Sequence, residues 1–232
     1  MNILIFSYYD GRSKDSKSFK EIAELTKPSK EEYCKKFGYD FLSEEVIETD
    51  REIGWRKIDV FRERLISGYY DWIVYVEADA MICNLTIPLT DILDDKYDMI
   101  IAKNSISKGW DGINCGVMAI KNSQWSLDFL YKIDSKENFW NHPWQEQAAI
   151  IDEIENNPEV LKNIKIEKCS IINAFHHVWY NFDDFKFGDF ILHDAGASNE
   201  HRFKLFTEMK DKIIKNKYTD YSNWKIETER FL

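Results

Sequence analysis

Glycine and proline are scarce in this chain, at 9 and 4 residues of 232. That excludes collagen-like repeats, low-complexity chain and long disordered linkers. Cysteine is equally scarce: Cys34, Cys83, Cys115 and Cys169 form no CxxC pair, so a structural zinc site has no support. No apolar run approaches the roughly 18 residues that a membrane-spanning helix needs. The opening Asn2-Ile3-Leu4-Ile5-Phe6 is too short for the apolar region of a signal peptide. A soluble cytoplasmic protein with free thiols is the resulting expectation. Positive charge is outnumbered, with 31 Lys plus Arg against 41 Asp plus Glu and a net charge of −10. Without a basic stripe to meet phosphates, nucleic acid is excluded as a partner. Neither GxxxxGK[ST] nor GxGxxG occurs, so no glycine-rich loop is available to cradle a nucleotide.

Aromatic residues are abundant: 15 Phe, 12 Tyr and 8 Trp. They suit stacking on flat rings or sugar faces, and equally a core built from large side chains. The length fits one large domain or two small ones. Ile3 to Phe6 and Trp72 to Val76 are continuous apolar runs, the pattern of strands buried on both faces. Further strands are expected at Tyr39–Leu42, Asp98–Ala102, Asn114–Ile120, Ile164–Glu167 and Phe190–His193. Helical spacing occupies Ser18 to Phe37, with a break expected at Pro28, and Trp55 to Ser67, ended by Gly68. Ser123 is an N-cap candidate for the next helix. Pro143 suits the first turn of another, running to about Asn156, and a last helix begins near Ser198. Alternating strands and helices predict an α/β fold with a mostly parallel central sheet flanked by helices. Without a linker or composition shift, residues 1–232 read as a single domain, with 218–232 as a surface tail.

The central strand runs into Glu77-Ala78-Asp79. In open α/β sheets ligands bind beyond the carboxyl ends of the strands. Carboxylates two apart on extended chain point the same way and can share one hard cation, Mn²⁺ or Mg²⁺. Taken alone, the pair reads more readily as two exposed acids in a turn. The histidines His176, His177, His193 and His201 carry no signal of their own.

Five segments together are more specific. They are Trp55-Arg56-Lys57-Ile58, Trp72 to Ala80, Asn114-Cys115-Gly116 to Asp128, Gln145 to Ala149 and Gly188 to Gly196. In this order and spacing the chain resembles the galactosyl-, mannosyl- and xylosyltransferase family of plant xyloglucan xylosyltransferases and fungal galactosyl- and mannosyltransferases. Asn122-Ser123-Gln124-Trp125-Ser126-Leu127-Asp128 is the most specific piece, and the likeness spans about residues 55–197.

The resemblance implies a Rossmann-like sandwich of the GT-A type. It also implies a retaining, metal-dependent transfer from a nucleotide sugar to a glycan acceptor. A UDP-sugar is the expected donor, with UDP-xylose preferred over UDP-galactose or GDP-mannose. The competing reading is a nucleotide-sugar-binding module without turnover, motivated by Glu77 where the family has aspartate. By this likeness Asp79 and His193 bind the metal, and Glu77 contacts the metal, a water on it, or the ribose. Gln147 lies near the anomeric carbon and Glu146 holds a sugar hydroxyl. Lys57, Glu77, Ala78, Asn114 and Gly116 contact the donor, and Ser7, Tyr8 and Tyr9, by their place at the end of the first strand, are expected beside the nucleotide base. Arg202 and Lys204 meet its diphosphate, although two solvated helix residues are an equal reading of that pair. Trp110, Trp140, Trp144 and Trp179 are candidates for an acceptor platform.

Overall fold

A computed structural model describes residues 1–12, 18–107, 110–176 and 185–216. The proposed tail 218–232, His177 and Trp179 lie outside the described residues, as does the side chain of Trp110. In chain order the elements are β1 (Ile3–Asp10), α1 (Phe19–Phe37), β2 (Asp40–Val46), α2 (Arg56–Ile66), β3 (Trp72–Val76) and β4 (Ala80–Ile82). There follow β5 (Met99–Ser107), β6 (Trp110–Lys121), α3 (Gln124–Asp134), α4 (Gln145–Asn156) and β7 (Ile164–Glu167). The described chain ends with α5 (Cys169–Ile172), β8 (Ala174–Phe175), β9 (Ile191–His193) and α6 (Asn199–Asn216).

The main sheet has the order β2-β1-β3-β6-β5-β7. Only β6 is antiparallel to its neighbours, so five of the six strands share one direction. The two apolar runs lie side by side at its centre, with Ile3 opposite Trp72 and Phe6 opposite Tyr75. Alternation along them feeds two cores. Ile3, Ile5, Val74 and Val76 face α1 and α6, while Leu4, Phe6, Ile73 and Tyr75 face α2, α3 and α4. An apolar void of about 20 Å³ beside Val74 and Ile100 is too small for a ligand.

Three local expectations change. Helix α1 runs unbroken through Pro28. A proline in a helix interior costs about 3 kcal/mol, but here tertiary contacts offset it. Thr26 and Lys30, on either side of Pro28, are buried and bonded to the backbone of the 77–78 turn. The helix start is also secured, because the Ser18 amide donates to Glu21 Oε2 at 2.9 Å in a capping box. Pro143 precedes α4 instead of opening it. Residues 77–79 are a turn rather than extended chain, closed by the Ala80 amide donating to the Glu77 carbonyl at 3.1 Å. That turn starts β4, which joins a second small sheet of order β4-β9-β8. Register places Ala80 opposite His193, so the small sheet carries the late histidine to the acidic turn. No helix among the described residues is long and apolar enough to cross a membrane.

Candidate active site

A cleft of about 320 Å³ opens beyond the carboxyl end of β3. Its walls include Lys57, Glu77, Asp79, Asn114, Gly116, Glu146, Gln147, His193 and Arg202. The acidic turn is gripped from behind by α1. Thr26 Oγ1 donates to the Ala78 carbonyl at 2.7 Å, and Lys30 Nζ donates to the Glu77 carbonyl at 2.6 Å. Burial pushes the Lys30 ammonium down to about 7, although the charges of Asp79 and Glu77 favour its protonated form. From the front, the Glu77 amide donates to the Gly116 carbonyl at 2.9 Å.

Glu77, Asp79 and His193 each offer one ligand atom, all within 4.8 Å of one another. His193 is 2% exposed and Asp79 is 3% exposed. His193 Nε2 lies 3.4 Å from Asp79 Oδ1 and 3.5 Å from Glu77 Oε2. The other ring nitrogen, Nδ1, is 2.9 Å from Asn173 Oδ1. The Asn173 amide group is itself oriented, because its Nδ2 donates to Asn114 Oδ1 at 2.8 Å. Asn173 therefore accepts from Nδ1–H, and the Nε2 lone pair is aimed at the two carboxylates. An outer partner that fixes the tautomer in this way is the usual support of a metal-ligating histidine. Asp79 Oδ1 is buried without a hydrogen-bond partner. A buried carboxylate oxygen facing an imidazole lone pair is costly unless a cation completes it. This donor set of two carboxylates and one imidazole fits Mn²⁺ or Mg²⁺.

Without a cation in the site, burial pushes the Asp79 carboxyl up, but the positive charge of His193 in its protonated form and that of Arg202 more than offset it and hold it at about 2. Arg202 is 2.8 Å from Asp79 Oδ2 and donates to the Asp194 carbonyl at 3.1 Å and to Asn199 Oδ1 at 3.0 Å. Gly116 is required by space. A Cβ there would collide with the His193 ring and lie 2.7 Å from Glu77 Oε2.

The opposite wall is a buried ion pair. Lys57 Nζ donates to Glu146 Oε1 at 2.5 Å and to the Cys115 carbonyl at 2.8 Å, and sits 4.4 Å from the Tyr75 ring centre. Burial works against the ammonium, but Glu146 outweighs it and holds the Lys57 pKa well above its ordinary value. Gln147 Oε1 accepts from the Cys115 amide at 3.0 Å. Gln145, at φ 49°, accepts from the Gly54 amide and joins the α2 side of the cleft to the start of α4.

Several expected contacts lie elsewhere. Tyr8 is buried, its ring stacked 5.2 Å from Tyr75 and its hydroxyl donating to the Gly54 carbonyl at 3.1 Å. Ser7 is buried and accepts from Lys30 at 3.1 Å. Tyr9 is half-buried and its hydroxyl donates to Glu45. Ala78 contributes its carbonyl to Thr26 and is buried. Lys204 is exposed on α6, outside the cleft walls. Trp140 packs with the core on the α3–α4 face, whereas Trp144 is 62% exposed and lines the cleft. Thr26, Lys30 and Asn173 escaped the sequence reading. Each acts through a backbone or amide contact far along the chain, which no spacing reports.

A model of the galactosyl transferase GMA12/MNN10 family matches residues 1–108 and 94–204. "Probable glycosyltransferase 6" of Oryza sativa subsp. indica is 29% identical over 108 residues, covering 44% of this chain and 22% of the rice protein. "Probable alpha-1,6-mannosyltransferase MNN10" of Saccharomyces cerevisiae is 22% identical over 244 residues, covering 83% of this chain and 61% of its own. The matched stretch is therefore less than two thirds of either relative. A glycosyltransferase involved in glycosylation of the major capsid of PBCV-1 superposes with a TM-score of 0.70. It is 18% identical and covers 90% of this chain and 100% of that one. That likeness concerns the fold, which is of the GT-A type. With both the early strands and the late histidine inside the matched residues, the chain belongs to the galactosyl transferase GMA12/MNN10 family.

Proposed function

We propose that the chain is a retaining, metal-dependent glycosyltransferase that moves a sugar from a nucleotide sugar to a glycan acceptor. A UDP-sugar is the donor class, with UDP-xylose preferred and UDP-galactose or GDP-mannose as alternatives. The observation that carries this reading is the Asn173-oriented His193 Nε2 facing Asp79 Oδ1 and Glu77 Oε2 on the cleft wall. Bound there, Mn²⁺ (or Mg²⁺) would neutralise a departing diphosphate. Arg202, paired with Asp79 on the same wall, would add a second positive charge for a phosphate oxygen. Asn114 and Gly116 border the space a donor sugar would fill. Gln147, a neutral amide held on the Cys115 backbone, steadies positive charge developing at the anomeric carbon. Glu146, fixed by Lys57, holds a sugar hydroxyl. Retention follows if the acceptor attacks from the face the phosphate leaves, passing its proton to the leaving phosphate oxygen. Trp144 offers an exposed ring to the acceptor.

The test is nucleoside-diphosphate release from UDP-xylose, UDP-galactose and GDP-mannose, with Mn²⁺ and after chelation, in wild type and Asp79→Asn. Metal-dependent release lost in the variant supports the transferase. Nucleotide binding with no release from any donor overturns it in favour of the binding module.

A further inference from the structure

Two of the late histidines, His176 and His201, lie close to Asp194. His176 follows β8, Asp194 follows β9, and His201 lies in the first turn of α6. One ligand atom from each falls within 4.8 Å of the other two. His201 Nδ1 is 2.8 Å from Asp194 Oδ2, and the two imidazoles lie 5.7 Å apart at 30°. Asp194 is 0% exposed, and its second oxygen, Oδ1, is buried with no hydrogen-bond partner. A plain His–Asp hydrogen bond leaves that oxygen uncompensated, and buried carboxylate oxygens are rarely left so. His176 is exposed, which gives an ion a path in.

We propose that His176, Asp194 and His201 form a second metal site, separate from the Glu77–Asp79–His193 site. Its donor set is two imidazoles and one carboxylate. That set is softer than the two-carboxylate set beside it and selects Zn²⁺ over Mn²⁺ or Mg²⁺. On binding, His201 Nδ1 exchanges its hydrogen bond for a coordinate bond, its proton moving to Nε2, and a water fills the fourth position. The ion would tie the ends of β8 and β9 to the start of α6. The chain between them includes Ala195 and Gly196, which line the donor cleft, and the Asp194 amide bonds the Asp79 carbonyl at 3.2 Å. Occupancy would therefore set the position of that cleft wall and of Arg202, which holds the Asp194 carbonyl.

The test uses the full chain, stripped of metal and titrated with Zn²⁺ against a chromophoric chelator. Wild type is expected to bind one equivalent more than His176→Ala and than His176→Ala/His201→Ala. Manganese binding followed by electron paramagnetic resonance should stay within about twofold among the three proteins. In Asp79→Asn, Co²⁺ should still give the visible absorption of a four-coordinate site, and His176→Ala should lose it. Because His176 is exposed, circular dichroism should be unchanged in its variant. Equal Zn²⁺ stoichiometry in wild type and His176→Ala overturns the proposal. These readouts do not involve sugar transfer, so a failure of the transferase reading leaves them intact.

Discussion

Asn173→Ala probes the support of the proposed Glu77–Asp79–His193 metal site. Asn173 is 0% exposed, accepts from His193 Nδ1 at 2.9 Å, and donates to Asn114 Oδ1 at 2.8 Å. Asn114 Oδ1 also accepts from the Gly116 amide at 2.8 Å, so the bonds link the late histidine to the glycine packed against it. Truncation removes two side-chain hydrogen bonds, each worth about 1 kcal/mol net, and leaves Nδ1 buried and unpaired. The imidazole loses both its fixed tautomer and its orientation. Loss of an outer-sphere partner weakens metal binding by about 10–100-fold, or about 1.4–2.7 kcal/mol. The assay is the Mn²⁺ dissociation constant by electron paramagnetic resonance. Asn173→Asp keeps an acceptor for Nδ1 but sets its other oxygen against Asn114 Oδ1, so its affinity should fall between those of alanine and wild type. An alanine variant that folds normally and binds Mn²⁺ as wild type does would refute the orienting role.

Gly116→Ala should abolish measurable Mn²⁺ binding in the same titration, since its methyl displaces His193 or Glu77; retained affinity would remove the steric argument. Truncating either Lys57→Met or Glu146→Leu strands a buried charge and should cost about 3–5 kcal/mol in urea unfolding. The double variant should cost far less than the sum, and strict additivity would show that the pair is not coupled. Asp79 is held at about 2, below its ordinary 3.8. Its contribution to stability is thus present above about pH 3.8 and lost as pH falls toward 2. Metal-free wild type should lose stability across that window more steeply than Asp79→Asn, as followed by urea midpoints at successive pH values.

Much of the main sheet is legible because its central strands are continuous apolar runs. Trp72–Val76 is buried at every position, and its antiparallel neighbour β6 (Trp110–Lys121) contains the expected Asn114–Ile120 stretch. Ser123 caps α3 through the Ser126 amide, as its residue type predicts. The second sheet as a unit is not legible: β9 falls on the expected Phe190–His193 run, but β4 and β8, of three and two residues, carry no periodicity. Its absence from the reading is why Glu77 and Asp79 are expected on extended chain, and why His193 is reachable only through a family likeness. Tyr8 illustrates the opposite failure. Its place at the end of β1 suggests a nucleotide contact, but Tyr75 on the adjacent strand claims its ring. Pro28 shows tertiary contacts overriding local propensity, because Thr26 and Lys30 bond a turn about fifty residues away. His176 and His201 meet only because β8, β9 and α6 converge, which nothing in their spacing reveals.

The central claim is that Glu77, Asp79 and His193 hold a cation for the diphosphate of a nucleotide sugar. Calorimetric titration with UDP, with Mn²⁺ and after chelation, in wild type and Asp79→Asn, tests it most directly. The account predicts binding in wild type that disappears on chelation and in the variant. UDP affinity indifferent to Mn²⁺ and to Asp79 would contradict it.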